Sequence, residues 1–177
     1  MKNIIWNDIK SKKFKVIKKY RDDLRDDLAN FGKSSKKYSG FGAFYELYLY
    51  AFAIGLHRNE RVKLQGHEIK TFNTVHEWSS DKLKILSTFL MALLSIDEIR
   101  TEAEFDFSTL EMDDLNETDL KKRVNNLVGI FEEFANGGFA YIHERYMKEP
   151  ENFEYHSSLQ KIFEEVLTSS KLTALSG

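Results

Sequence analysis

The chain has 177 residues, of which 42% are hydrophobic and 31% are charged, and it contains one proline and no cysteine. A length of this order predicts a single domain, and the apolar fraction excludes an intrinsically disordered chain. Without cysteine the chain has no disulfide, no thiolate metal site and no cysteine nucleophile.

The formal net charge of −2 conceals an uneven distribution along the chain. Residues 1–40 carry 12 Lys and Arg against 5 Asp, a balance of +7, so residues 41–177 carry 14 basic against 23 acidic residues, a balance of −9. Such asymmetry indicates a basic segment that meets an anionic partner. We therefore predict a basic N-terminal helix and linker over 1–40 and a helical core domain over 41–177.

The first predicted element is a helix over 12–31, where apolar residues recur every three or four positions. The polar segment 32–40 ends it. The next helix, over 41–57, is apolar on nearly all sides, and we expect it to be the most buried element. Residues 59–78 are mixed in composition and interrupted by Gly66, which allows short extended segments there, but no sheet is predicted.

A serine and an aspartate within 79–81 predict the start of a helix that continues through 83–99. An acidic stretch follows over 100–119. Thr118 is then placed to cap a helix that ends at Ala135.

Asn136, Gly137 and Gly138 predict the end of that helix, because glycine adopts the left-handed conformation at low steric cost. The last two predicted helices cover 139–148 and 157–168. Six or seven helices without a convincing two-residue alternation indicate an all-α, single compact domain with a basic N-terminal helical arm.

No targeting or membrane segment is expected. The first residues lack the apolar run of a secretory signal, and the most hydrophobic stretch, 41–56, carries Glu46 and falls short of the about 20 residues that a membrane span needs. We expect a cytoplasmic protein without a membrane partner.

Six lysines lie within ten residues of the basic segment: Lys10, Lys12, Lys13, Lys15, Lys18 and Lys19. A cationic face of this kind suits phosphate groups, with an affinity that falls steeply with salt. Aspartates such as Asp22, four residues from Lys18, could instead pair with the lysines on a solvated helix face. An acidic protein partner would use the same segment.

Two short patterns suggest nuclease chemistry. Arg61 and His67 are separated by five residues, as in the all-α ribonucleases of the HEPN class, in which histidine moves protons and arginine stabilises the phosphorane charge. The sequence Glu-Ile-Lys at 68–70 resembles the ExK element of metal-dependent DNA nucleases. The histidines lack the spacing of a helical zinc site, and no glycine pair sits in a phosphate loop, so neither a metal nor a cofactor is predicted.

The helix predicted over 41–57 carries more aromatic side chains than one side of a core easily holds. We therefore consider Tyr45, Tyr48 and Phe52 as interface residues, since aromatic anchors are typical of binding hot spots. A core filled with large side chains explains the same residues equally well. Homo-oligomerisation stays open.

Two segments of the chain resemble a known family. Residues 44–56, followed by the polar stretch 58–62, resemble its opening helix and turn, and 131–139, with the sequence FEEFANGGF, resembles its "EEYANGG" signature. Both occur in this order in small helical accessory proteins of DNA phosphorothioation (Dnd-type) loci and related anti-phage defence operons. The resemblance assigns Asn136, Gly137 and Gly138 as motif positions and implies no catalytic residue.

The resemblance implies a non-catalytic accessory or adaptor subunit that binds a larger ATPase or nuclease of the same operon, with DNA as a further contact. The residues alone leave two alternatives open. One is a stand-alone regulator that binds nucleic acid, and the other is a HEPN-like ribonuclease that uses Arg61 and His67.

Overall fold

The computed structural model describes residues 2–29, 41–105, 116–153 and 156–174. These residues form seven α-helices and two short strands, which confirms the prediction of a predominantly helical protein. The helices are α1 (Lys2–Ser11), α2 (Lys18–Leu28), α3 (Phe44–Arg58), α4 (Ser80–Leu94), α5 (Asp97–Glu102), α6 (Glu117–Lys148) and α7 (His156–Ala174). The strands are β1 (Lys13–Ile17) and β2 (Ile69–Thr74), and 3-10 turns cover Val75–Glu77 and Pro150–Phe153.

Within these parts of the chain, no helix combines the length and the apolar character that crossing a membrane requires.

The predicted helix over 12–31 is wrong over 12–17, where the chain forms β1, so the basic N-terminal segment is not one continuous helix. The lysine-rich segment instead comprises the end of α1, the whole of β1 and the start of α2. Phe14 and Val16 are fully buried, whereas Lys13 and Lys15 are exposed, which is the two-residue alternation of a half-buried strand. The three- and four-residue spacing holds only from the end of β1 onward, so α2 alone follows it.

The absence of a sheet from 59–78 is also a wrong prediction, because β2 pairs with β1. The amide of Lys18 donates to the carbonyl of Glu68 at 2.8 Å, and the amide of Val75 donates to the carbonyl of Lys12 at 3.0 Å. Position numbers rise on one strand as they fall on the other, so the strands are antiparallel. No residue of β2 is fully buried, which explains why its alternation is weak in the sequence.

The predicted helix end at 136–138 is wrong, as is the separate helix over 139–148. α6 runs through this segment without a break. Among the described glycines, only Gly66 has a positive φ, so the glycines of α6 keep ordinary helical geometry. Their presence in a helix interior therefore needs another explanation.

Helix boundaries elsewhere lie close to the predicted ones. Ser79 is the N-cap residue of α4, although its side chain makes no capping hydrogen bond. The helical run predicted over 83–99 divides into α4 and α5. At the start of α6 it is Asn116, not Thr118, whose side chain caps, since it accepts the amide of Thr118 at 2.7 Å.

The chain divides into two compact units, and the division falls inside β1, β2 and α6. The first unit comprises residues 1–14 and 71–132. Its core includes the ring of Phe14, whose centre lies 5.6 Å from that of Trp78 and 5.3 Å from that of Phe131. The domain boundary expected at residue 40 stays a prediction.

The second unit comprises residues 15–70 and 133–177, and its core forms between α3 and the second half of α6. Phe139 of α6 stacks on Phe44 at 5.7 Å and lies at the same distance from Tyr48. The matched motif positions at 136–138 therefore belong to this core.

Candidate functional site

Asn136 is fully buried, and its side-chain amide binds the backbone of β1. Its Oδ1 accepts the amide of Ile17 at 2.9 Å, and its Nδ2 donates to the carbonyl of Lys15 at 3.3 Å. Both groups lie on the edge of β1 that faces away from β2, because successive strand residues direct their backbone groups to opposite edges. One asparagine thus occupies the position that a third strand would take.

Tyr48 of α3 closes the same strand edge. Its hydroxyl donates to the carbonyl of Lys15 at 3.0 Å, and its side chain is fully buried. An unpaired strand edge invites pairing with another chain. Asn136 and Tyr48 together cover the outer edge of β1 between Lys15 and Ile17.

Gly137 and Gly138 lie where α6 approaches other backbone very closely. A Cβ on Gly138 would overlap the carbonyl oxygen of Ala51 in α3, and one on Gly137 would overlap that of Glu60. Gly55 of α3 faces the carbonyl of Phe134 in the same manner. The glycines therefore permit α3 and α6 to cross at backbone contact.

Arg61 lies just after α3, and its guanidinium is bound to α6. Nε and Nη2 both donate to Oε2 of Glu133, at 2.9 and 2.6 Å, and the guanidinium lies 5.4 Å from the ring centre of Phe134. The amide of Val62 donates to the carbonyl of Glu133 at 3.0 Å. These contacts anchor the segment after α3 to α6.

His67 is exposed in the turn that precedes β2. The neighbouring Glu68, the acid of the ExK fragment, pairs with Lys18 of α2 at 2.8 Å. This hydrogen bond raises the pKa of Lys18 and lowers the pKa of Glu68. Lys70 lies on β2, so the strand that the ExK pattern needs is present. The carboxylate of Glu68, however, is held in the ion pair with Lys18 of α2.

Three of the six N-terminal lysines, Lys10, Lys12 and Lys18, contact identified side chains of the chain. Lys10 lies with its ammonium 5.6 Å from the ring centre of Trp6. Lys12 pairs with Asp8 at 3.1 Å and donates to the side chain of Asn125 at 2.8 Å. The third, Lys18, forms the pair with Glu68. The aspartates of α2 are thus not the principal partners of these lysines.

The other three lysines are exposed. Lys13 and Lys15 project from the same side of β1, because residues two apart share one face of a strand. Lys19 lies in the first turn of α2. The exposed lysines therefore lie on one face of a strand and at the start of a helix, and not on the single cationic helix face that was expected.

The aromatic residues of α3 are mostly internal. Tyr48 and Phe52 have no exposed surface, and Tyr45 is half-buried. Phe52 meets Phe134 edge to face at 6.4 Å. Tyr48 and Phe52 therefore belong to the core, where α3 needs large side chains because several elements pack around it, and they leave no surface for a partner.

A family model described as DNA sulphur modification system-associated protein 4 matches residues 19–166. The chain belongs to this family. The resemblance to Dnd-associated accessory proteins is thereby confirmed. No curated protein and no solved structure gives a significant match.

The family match covers α2 to most of α7, and so includes the motif at 136–138. In this family member, the motif residues thus serve the packing of the second unit, while Lys13 and Lys15 precede the matched range.

Sequence reasoning missed two polar contacts between α2 and α6. Asp23 lies 2.7 Å from Nε2 of the buried His143, and Asp27 accepts the hydroxyl of Tyr146 at 2.5 Å. Burial in the first place, and the hydrogen bond to Asp27 in the second, raise the pKa of Tyr146 to about 12. The signal was present in the four-residue spacing of the aspartates, which places both on one face of α2.

A second missed cluster joins α3, α6 and α7. The guanidiniums of Arg58 and Arg145 lie 4.2 and 5.7 Å from the ring centre of Tyr141. Arg145 also donates to the hydroxyl of Tyr141 at 2.9 Å and pairs with Glu165 of α7 at 2.6 Å. Across the described ranges, no three His, Asp or Glu side chains are grouped so that they could hold a metal ion.

Proposed function

We propose that this chain is an accessory subunit, without a reaction of its own, of a defence system associated with DNA sulphur modification. In this proposal it binds a larger ATPase or nuclease encoded in the same locus. The family match over residues 19–166 carries the proposal. The burial of Asn136 and the close contacts of Gly137 and Gly138 support it. These motif residues pack inside the second unit, as expected for a subunit whose family signature maintains its fold.

The surface that we assign to the partner is the exposed face of β1. Lys13 and Lys15 stand on this face, and the buried Phe14 and Val16 fix the opposite one. The bonds of Asn136 to β1 hold the strand from its outer edge. A charged group on a fixed backbone loses less conformational entropy on binding, so these lysines suit a partner with an acidic surface.

Affinity purification from cells that express the native locus tests this proposal. We expect a large protein of the locus to be recovered with the tagged chain. The variant Lys13→Gln/Lys15→Gln should lower this recovery. The variant Lys121→Gln/Lys122→Gln, which removes the same charge from the exposed start of α6, is the matched control and should not. Recovery of the chain alone would contradict the proposal.

Nucleic-acid binding is the second candidate function, because the same lysines suit phosphate groups. Three phosphate contacts, from Lys13, Lys15 and Lys19, predict an affinity for duplex DNA that falls about 40-fold between roughly 50 and 200 mM salt. Replacing Lys13 and Lys15 with glutamine should reduce the slope of log affinity against log salt by roughly 2. An isolated chain that does not bind DNA at low salt would exclude this candidate.

A further inference from the structure

From residue 85 onward, the exposed side of α4 carries no charged residue. Residues 85–96 contain no Asp, Glu, Lys or Arg, although 31% of the chain is charged. Ile85 is 38% exposed and Met91 is 58% exposed. A helix that is apolar on all sides is normally covered on all sides. The comparable uncharged run in α3 is covered, since seven of its residues are buried.

Five exposed residues of α4 and its C-cap form one stripe along the helix. Ile85, Thr88, Met91, Ala92 and Ser95 recur at three- and four-residue spacing, and all are exposed. The opposite side holds the buried Leu86, Leu90, Leu93 and Leu94. The stripe combines two large apolar side chains with small ones, which allows another helix to approach closely.

The stripe is complementary to itself when two copies are antiparallel. A twofold axis at Thr88 places Ile85 of one copy beside Met91 of the second, so the large apolar side chains of the two copies meet. The same axis places the small Ala92 beside the apolar stem of Lys84 of the second copy. Isologous pairing of this kind requires a self-complementary patch.

The charges at the ends of α4 favour the same arrangement. Asp81 lies in the first turn, but α4 has no basic residue in its last turn. A cation near the C-terminal end of a helix is stabilising because the helix dipole is negative there. Antiparallel pairing brings Lys84 of each copy, a residue exposed on this face, to the last turn of the other.

We propose that two copies of this chain associate through α4, antiparallel and with Thr88 at the twofold axis. The proposal does not depend on the proposed function. The helix has 15 residues and is therefore about 22 Å long, so one helix pair buries less than the about 800 Å² per partner of a standard interface. The dimer is accordingly weak and depends on protein concentration.

Analytical ultracentrifugation of the full chain over a range of concentrations tests the association. We expect a reversible monomer–dimer equilibrium that Met91→Glu shifts at least tenfold toward the monomer. The matched control is Met147→Glu, at a methionine of α6 that is 54% exposed, and it should leave the equilibrium unchanged. Far-UV circular dichroism verifies that both variants are folded.

Cysteine cross-linking tests the orientation, because the chain has no cysteine of its own. Oxidation of Thr88→Cys should give a covalent dimer. A mixture of Asp81→Cys and Ser95→Cys chains should cross-link between the two variants, and Glu144→Cys on α6 should not cross-link. A monomer at every concentration, cross-linking of Asp81→Cys to itself, or a dimer that Met91→Glu leaves intact would overturn the proposal.

Discussion

Replacing Gly138 with alanine tests the role that the structure gives to the family motif. In an ordinary helix interior, glycine to alanine gains up to about 1 kcal/mol of helix stability. At Gly138 the added Cβ would overlap the carbonyl oxygen of Ala51, so α3 and α6 must move apart. Such overpacking costs about 3 kcal/mol when backbone has to shift, which leaves a net loss of about 2 kcal/mol.

The same helix contains a matched control. Nothing lies within 4 Å of a Cβ built on Gly129, so Gly129→Ala should gain about 0.5–1 kcal/mol from helix propensity alone. For a chain of this length, about 1 kcal/mol shifts Tm by roughly 2–4 °C. Gly138→Ala should therefore lower Tm by about 4–8 °C, and Gly129→Ala should raise it by about 1–4 °C.

Thermal unfolding followed by far-UV circular dichroism measures both variants under the same conditions. The opposite signs are the essential result, because the two substitutions are chemically identical and lie in one helix. If Gly138→Ala were as stable as Gly129→Ala, then α3 and α6 would not cross at backbone contact, and the reasoning would be refuted.

Three further predictions concern polar contacts of the second unit. Asn136→Leu should cost about 2–3 kcal/mol, since it leaves the buried amide of Ile17 without a partner, and hydrogen exchange at that amide should accelerate. Arg61→Ala should cost about 1–3 kcal/mol in denaturant unfolding, whereas His67→Ala should stay within about 0.5 kcal/mol of the parent. The difference in free energy of unfolding between the parent and Tyr146→Phe should become smaller as pH rises from about 10 to about 12. The pKa of Tyr146 is about 12 in the folded chain and about 10 in the unfolded chain, so the unfolded chain ionises first, and the stability that this difference contributes is lost between about pH 10 and 12.

Each of these predictions has a result that contradicts it. Unchanged exchange of the Ile17 amide in Asn136→Leu would show that the side chain does not cap β1. Equal losses of unfolding free energy from Arg61→Ala and His67→Ala would show that the ion pair of Arg61 with Glu133 does not stabilise the fold. A stability difference for Tyr146→Phe that stays constant up to pH 12 would place that hydroxyl in water.

The helices of the chain were predictable where packing and local pattern agree. The uncharged run of α3 and the start of α4 after Ser79 appear near their expected positions, because burial on all sides and a capping residue are local signals. The strand over 13–17 was not predictable, since the spacing of Phe14, Val16 and Ile17 fits the apolar stripe of a helix as well as the alternation of a strand. Only pairing with the distant β2 decides between them.

The family motif was recognisable in the sequence, but its structural role was not. Asn-Gly-Gly is a good local signal for a helix end, and nothing near it in sequence shows otherwise. The close carbonyls of Ala51 and Glu60 come from about 80 residues earlier. Tertiary contact therefore overrides the local propensity of Gly137 and Gly138, which is an effect that sequence pattern alone does not reveal.

The proposed function is tested most directly by amine-reactive cross-linking of the chain with the proteins of its native locus, followed by mass spectrometry. If the chain is an accessory subunit that binds through β1, cross-links to a large locus protein should concentrate at Lys13, Lys15 and Lys19. Cross-links from these lysines only to the chain itself, or to a partner only from Lys161 on α7, would contradict the account.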